Sequence, residues 1–279
     1  MKVKVYGFAH SPWVQAVLLA LHIKKIDYSL VNIPPLEVFK EWGIYMPAVS
    51  IDEGPWEIES TKIIERLGFK SVTKETLEAA NKSWQGVLHR IDNPLKFFIA
   101  FSEGGQTSKS FLSNSKSNFL LSFVAFYMFL LIGIGKFRLN QKEPEDFGDQ
   151  FIYWEDILNS SKGSYIDGKD PGMRDFIIFG IVQCHSSIPV PPLDAIRYDD
   201  RLHSFRLWIY EMQESYKDFA YLYSTKYFQL GEAQLKSTRF KHKIFFFLGL
   251  AILFLLFPLS AVAVLMLMAK VNENRIKNF

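Results

Sequence analysis

The sequence predicts an α/β module, then an all-α region, then a single C-terminal transmembrane helix. Three observations carry this reading. A strand–helix–strand pattern opens the chain, apolar residues recur at helical spacing from Thr73 onward, and residues 244–269 carry no charge. The predicted divisions are 1–70 for the α/β domain and 71–232 for the helical domain, with an apolar insert helix at 119–135. A basic juxtamembrane linker (233–243), the span (244–269) and a short tail (270–279) follow.

Residues 2–8 (KVKVYGF) alternate β-branched and aromatic residues and predict a strand. Ser11-Pro12 then opens a helix, since Ser suits the N-cap and Pro the first helical position. Val14, Val17, Leu18 and Leu21 give that helix an apolar spacing. Tyr28–Ile33 predicts a second strand, parallel to the first because a helix joins them. Met46–Asp52 predicts a third strand entered through Pro47, a turn at Glu53-Gly54-Pro55 leads to Trp56-Glu57-Ile58, and Glu59-Ser60 caps a helix running to Gly68.

After Thr73 the spacing of Leu77, Trp84, Leu88 and Ile91 predicts helix. Residues 102–118 are polar and rich in Gly and Ser and predict a loop. Phe119–Gly135 is apolar over about 17 residues, at the lower edge for a span, and is expected to lie buried or against a membrane. Ile244–Ala269 is apolar over about 26 residues, or roughly 39 Å of helix against about 30 Å of hydrocarbon. Pro258 lies inside it, and membrane helices tolerate such kinks. Lys236, Arg239, Lys241 and Lys243 precede the span and Lys270, Arg275 and Lys277 follow it. The balance favours a tail anchor with the preceding domains facing the cytoplasm, and the chain without it is expected to be soluble.

The net charge of +3 on 279 residues is too small to imply nucleic acid. Residues 1–13 hold no long apolar run, so no signal peptide is expected. Cys184 is the one cysteine, which excludes an intramolecular disulfide and a CxxC redox pair. The six histidines (His10 beside Ser11 among them) show no metal-ligand spacing, so no metal site is expected.

The order β-α-β-α-β-β-α, an X-Pro at the start of the third strand and Glu-Ser before the last helix together resemble the thioredoxin-like domain of glutathione transferases, over residues 2–68. The resemblance implies a glutathione site. Pro47 would be cis, and Met46 would pair its backbone with the cysteinyl unit. Glu59 and Ser60 would hold the γ-glutamyl end, where a helix N-terminus attracts a carboxylate and an acid receives an ammonium. Ser11 would be the catalytic residue, donating a hydrogen bond that lowers the thiol pKa. The alternative for Ser11 and for Glu59-Ser60 is plain helix capping. Gln15 stands where a basic residue is usual, and residues 41–45 lack the Lys or Arg that often meets the glycyl carboxylate.

Residues 164–175 resemble a second transferase signature, a capping box opening the core helix of the helical domain. Here the cap is Gly172 and the acid is Asp175. The stretches AFYMFLLIGIGKFRLNQ and GKDPGMRDFIIFGIV are most similar to the membrane-associated prostaglandin E synthase type 2 group, yet that group's CPFC is Ser11-Pro12-Trp13-Val14 here and its tyrosine is Phe8. The resemblance therefore implies a membrane-anchored, glutathione-binding transferase-like protein acting on an apolar, lipid-derived electrophile. The alternatives are a catalytically degenerate adaptor of the same fold and an isomerase of the prostaglandin E synthase type 2 kind. The implied partners are glutathione, the apolar substrate and the bilayer, with a homodimer or a membrane-protein partner left open.

Overall fold

The computed structural model describes residues 1–9, 11–85, 95, 98–99, 102, 110–138, 144–187, 191–222 and 240–277. These form two compact units: 1–30, 46–87 and 144–235 make the first, and 31–45, 88–143 and 236–279 the second.

In the first unit, β1 (Val3–Tyr6), β2 (Tyr28–Val31), β3 (Ala48–Ile51) and β4 (Glu57–Ile58) form one sheet in the order β2-β1-β3-β4. β3 lies antiparallel to β1, with Tyr6 opposite Ala48 and Val3 opposite Ile51, and β4 lies antiparallel to β3, with Ile58 also opposite Ala48. α1 (Pro12–Ile23) is buried on every face from Val14 to Leu21. Its partner is α7 (Met173–Ser187), whose Phe176, Ile177, Phe179, Ile181 and Val182 are all buried. The two helices meet closely at Gly180, where a Cβ would collide with the Pro12 carbonyl oxygen.

Around α7 the unit is closed by α3 (Ser60–Arg66), α4 (Lys74–Ser83), α6 (Ile152–Ser160), α8 (Pro191–Tyr198) and α9 (His203–Ser215). α4 begins as its sequence predicts, the Thr73 hydroxyl accepting from Thr76 N at 3.2 Å. The buried Glu155 carboxylate accepts from Ser204 N and Phe205 N, satisfying the first turn of α9. The Gly172–Asp175 half-box is present, and it does more than cap. Asp175 accepts from Gly172 N, Ile166 N, Asp167 N and Trp208 Nε1, so one carboxylate ties the preceding turn and α9 to the start of α7.

The second unit holds α2 (Leu36–Trp42), α5 (Phe111–Arg138), α10 (Phe240–Leu255) and α11 (Phe257–Lys277). α5 is longer than the predicted 119–135 insert: residues 111–118, read from sequence as loop, are its first two turns. α5 and α10 run parallel, since their contacts advance together. Phe111 meets His242 and Phe245, Ser122 faces Gly249, and Phe126 and Phe129 meet Phe254.

The C-terminal segment departs from its prediction. Instead of one transmembrane helix over 244–269, it is two helices bent by 96°. The reason is Pro258, which lacks an N–H and sits as the second residue of a new helix, where none is needed. The Leu256 carbonyl there accepts from Leu259 N and Ser260 N, and the Ser260 hydroxyl lies 2.6 Å from the Leu253 carbonyl that the break frees. Among the described residues, the one continuous helix long and apolar enough to cross a membrane is Phe111–Gly135. Most of the basic linker 233–243 lies outside the described residues.

Candidate functional site

The register places the predicted site residues at one end of the sheet. Tyr6, Ala48 and Ile58 lie side by side across β1, β3 and β4. Because both pairings are antiparallel, the chain leaving β1, the chain entering β3 and the chain leaving β4 all emerge at that end. These are the 7–11 turn carrying Ser11, the Met46-Pro47 dipeptide, and Glu59-Ser60. The Met46–Pro47 peptide bond is cis.

Each segment is held by its own contacts. Ser11 N donates to Phe8 O at 2.9 Å, and Phe8 N points at Met46 Sδ at 3.4 Å, joining the first two segments. Ser11 is half-buried with φ −72° and ψ 128°, and its hydroxyl accepts no capping hydrogen bond from α1. The helix-cap alternative predicts that bond. Pro47 and Ser60 are buried, whereas Met46 and Glu59 are half-buried. Glu59 has φ 73° and ψ 102°, a backbone region that non-glycine residues seldom occupy, and its side chain does not cap α3 either. Such outliers concentrate where surrounding structure holds a functional geometry.

Gln15, read from sequence only as a missing base, has a structural task. It is buried, and its Nε2 donates to the carbonyls of Ala9 and Tyr221, pinning the turn before Ser11. A lone amide on the apolar face of Val14, Val17 and Leu18 was the signal for that task. Gly180, which lets α7 come up to the first turn of α1, gave no sequence signal. His10 lies outside the described residues.

Phe8 is buried, and burial raises the pKa of Tyr6, which points into the core. Cys184 is buried and its thiol is pushed up to about 12 by desolvation, so it is no nucleophile. His185 is buried with it, donating from Nε2 to Ser83 O at 2.9 Å, and burial pushes it down to about 4. Among the described residues no three His, Cys, Asp or Glu side chains gather as metal ligands.

No protein-family model matches the chain, and no curated protein matches it. Among the solved structures it resembles are glutathione transferases. Transferase E6 from Drosophila melanogaster is 19% identical, with 78% of this chain and 90% of that one covered and a TM-score of 0.41. Gtt2 from Saccharomyces cerevisiae is 16% identical, with 78% and 100% covered and a TM-score of 0.44. The theta class transferase of Xanthomonas axonopodis pv. citri, solved with glutathione bound, is 10% identical, with 76% and 92% covered and a TM-score of 0.41.

Proposed function

We propose that this chain is a membrane-attached, glutathione-binding, transferase-like protein whose folded parts face the cytoplasm. The observation that carries the reading is the strand register, which gathers Ser11, Met46-Pro47 and Glu59-Ser60 at one end of the sheet. Main-chain groups at Met46 would pair with the cysteinyl unit, and Glu59 with Ser60 would take the γ-glutamyl end. The Ser11 hydroxyl, unused by its helix, would donate to the glutathione sulfur. The thiol proton then leaves to water, and the thiolate attacks the electrophilic carbon of an apolar, lipid-derived substrate, whose bonding pair departs with the leaving group or onto oxygen.

The test is titration of the detergent-solubilised full chain with glutathione, with the bound thiol's ionisation followed in the ultraviolet. Binding with the thiol pKa well below that of free glutathione supports the reading. Glu59→Ala and Ser60→Ala should each weaken binding by about 1–3 kcal/mol, the range for a hydrogen bond to a charged group. Unchanged affinity in both variants would return the pair to a structural role.

A second reading is a degenerate transferase-fold adaptor. It is favoured by Gln15, whose amide nitrogen is held by the Ala9 and Tyr221 carbonyls, and by the buried Phe8 in place of a phenol. Glutathione binding without a lowered thiol pKa, or no binding at all, selects it. An isomerase of the prostaglandin E synthase type 2 kind would need the thiol that Ser11 does not provide.

A further inference from the structure

We infer that α11 is an in-plane membrane helix: one edge enters the lipid and the opposite edge carries α2. The inference rests on the membrane attachment proposed above and replaces its expected straight span. Neither arm of the bent pair can cross a bilayer alone. The apolar part of α10 is Ile244–Leu255 and that of α11 is Phe257–Ala269, about 18 and 20 Å of helix against about 30 Å of hydrocarbon.

The two edges of α11 differ in what covers them. Val264 and Val271 are buried at 1% and 8% exposure. On the same side Leu267 lies against Gly43, whose Cβ would come 2.7 Å from Leu267 Cδ1, and the Asn274 amide donates to the Glu41 carbonyl. That edge is therefore occupied by α2 and the glycine that ends it. α2 exposes Glu37, Lys40 and Glu41 beside Leu36 and Phe39, and its charged side chains belong in water and not in hydrocarbon. On the other edge Leu259, Val262 and Met266 recur at three- and four-residue spacing, exposed by 73%, 56% and 69%. Beyond the bend α10 carries exposed aliphatic residues of its own, Leu255, Ile252, Leu248 and Ile244.

A helix with a charged protein element on one edge and bare aliphatic side chains on the other sits at a boundary between water and oil. The bounding residues suit lipid better than a second protein: Lys241 and Lys243 stand at the start of α10 and Lys270 follows the row on α11, placed for anionic headgroups.

The experiment measures depth on the full chain. Leu259→Cys, Val262→Cys and Met266→Cys are made one at a time; the native Cys184 is only 4% exposed and stays unlabelled in the folded protein. Each introduced thiol is labelled with bimane and reconstituted into phosphatidylcholine–phosphatidylserine vesicles, and quenching by lipids spin-labelled at different acyl positions gives its depth. The expected result is one shallow depth for all three, about 5–10 Å below the headgroups. A depth changing steadily by about 10 Å from residue 259 to 266 is the signature of a spanning helix and would overturn the inference while leaving membrane attachment intact. Chain that floats with the vesicles but shows no quenching at any position would assign the row to a second copy of the chain and would also overturn it. Failure to float would remove the attachment reading itself. Glutathione titration of the same samples tells whether the transferase reading stands or falls separately.

Discussion

At Ser11 a half-buried hydroxyl stands at a helix start without capping it, while one turn later Gln15 Nε2 is committed to two carbonyls. A donor that its helix does not use for capping is the group whose removal should change chemistry and not folding. Ser11→Ala is expected to leave glutathione affinity nearly unchanged, raise the bound thiol's pKa and slow conjugation of a general electrophile about 10- to 1000-fold, by analogy with loss of one oxyanion donor. Full activity in the variant would dismiss Ser11 as the activating group. Deeper in the same unit, His185 and Asp175 pull stability in opposite directions over the same pH range. Burial holds His185 at about 4, below its ordinary value of 6.5. The unfolded chain therefore takes up that proton first, and stability is lost as pH falls from about 6.5 toward 4. Burial lifts Asp175 to about 6 from 3.8, so its contribution grows as pH falls through the same interval. The difference between wild type and His185→Gln isolates the histidine. Followed by urea unfolding in detergent, it should shift in the variant's favour by on the order of 3 kcal/mol between pH 7 and 4. A constant difference would mean that His185 is not held neutral.

Among the elements, the start of α7 depends most on a single side chain. Asp175→Ala leaves Gly172 N, Ile166 N, Asp167 N and Trp208 Nε1 without their acceptor, at roughly 1–3 kcal/mol for each one that water cannot reach. A loss above about 3 kcal/mol is expected in chemical denaturation, and a loss below 1 would show that water replaces the carboxylate. Half of this cap was legible in the sequence, because Gly172 and Asp175 stand three residues apart before an apolar run. The reach to Trp208 was not, since nothing local encodes a contact across 33 residues. The strands were legible for the same local reason: alternation and Pro/Gly turns set β1, β3 and β4, and their order brought Ser11, Met46-Pro47 and Glu59-Ser60 to one end. The bend in the C-terminal segment was not legible because composition gives the length of an apolar run and not its direction. Hydropathy is blind to whether Pro258 kinks a helix or begins another.

For the whole molecule, that bend changes what removing the C-terminus should do. The sequence alone suggested a detachable anchor, but α10 covers Ser122, Phe126 and Phe129 of α5, and α11 covers the end of α2. A chain lacking Phe240–Phe279 is therefore expected to aggregate without detergent, which light scattering of the purified truncated protein would record. A monodisperse product would show that the second unit closes without its last two helices.

The parallel course of α5 and α10 has a topological consequence. Suppose Phe111–Gly135 crossed a bilayer. The chain would leave α5 on the far side, yet α10 begins beside Phe111, on the near side. Everything from Arg138 onward would then have to come back through residues 223–239, a stretch holding Lys226, Glu232, Lys236 and Arg239. Each such charge costs about 2.5–3.5 kcal/mol at mid-membrane, and no apolar run is there to offset it. Hydropathy admits α5 as a crossing, whereas the charges of 223–239 count against the return that such a crossing would require. If both ends of the helix stay on one side, a protease confined to the opposite face of a sealed vesicle finds nothing to cut.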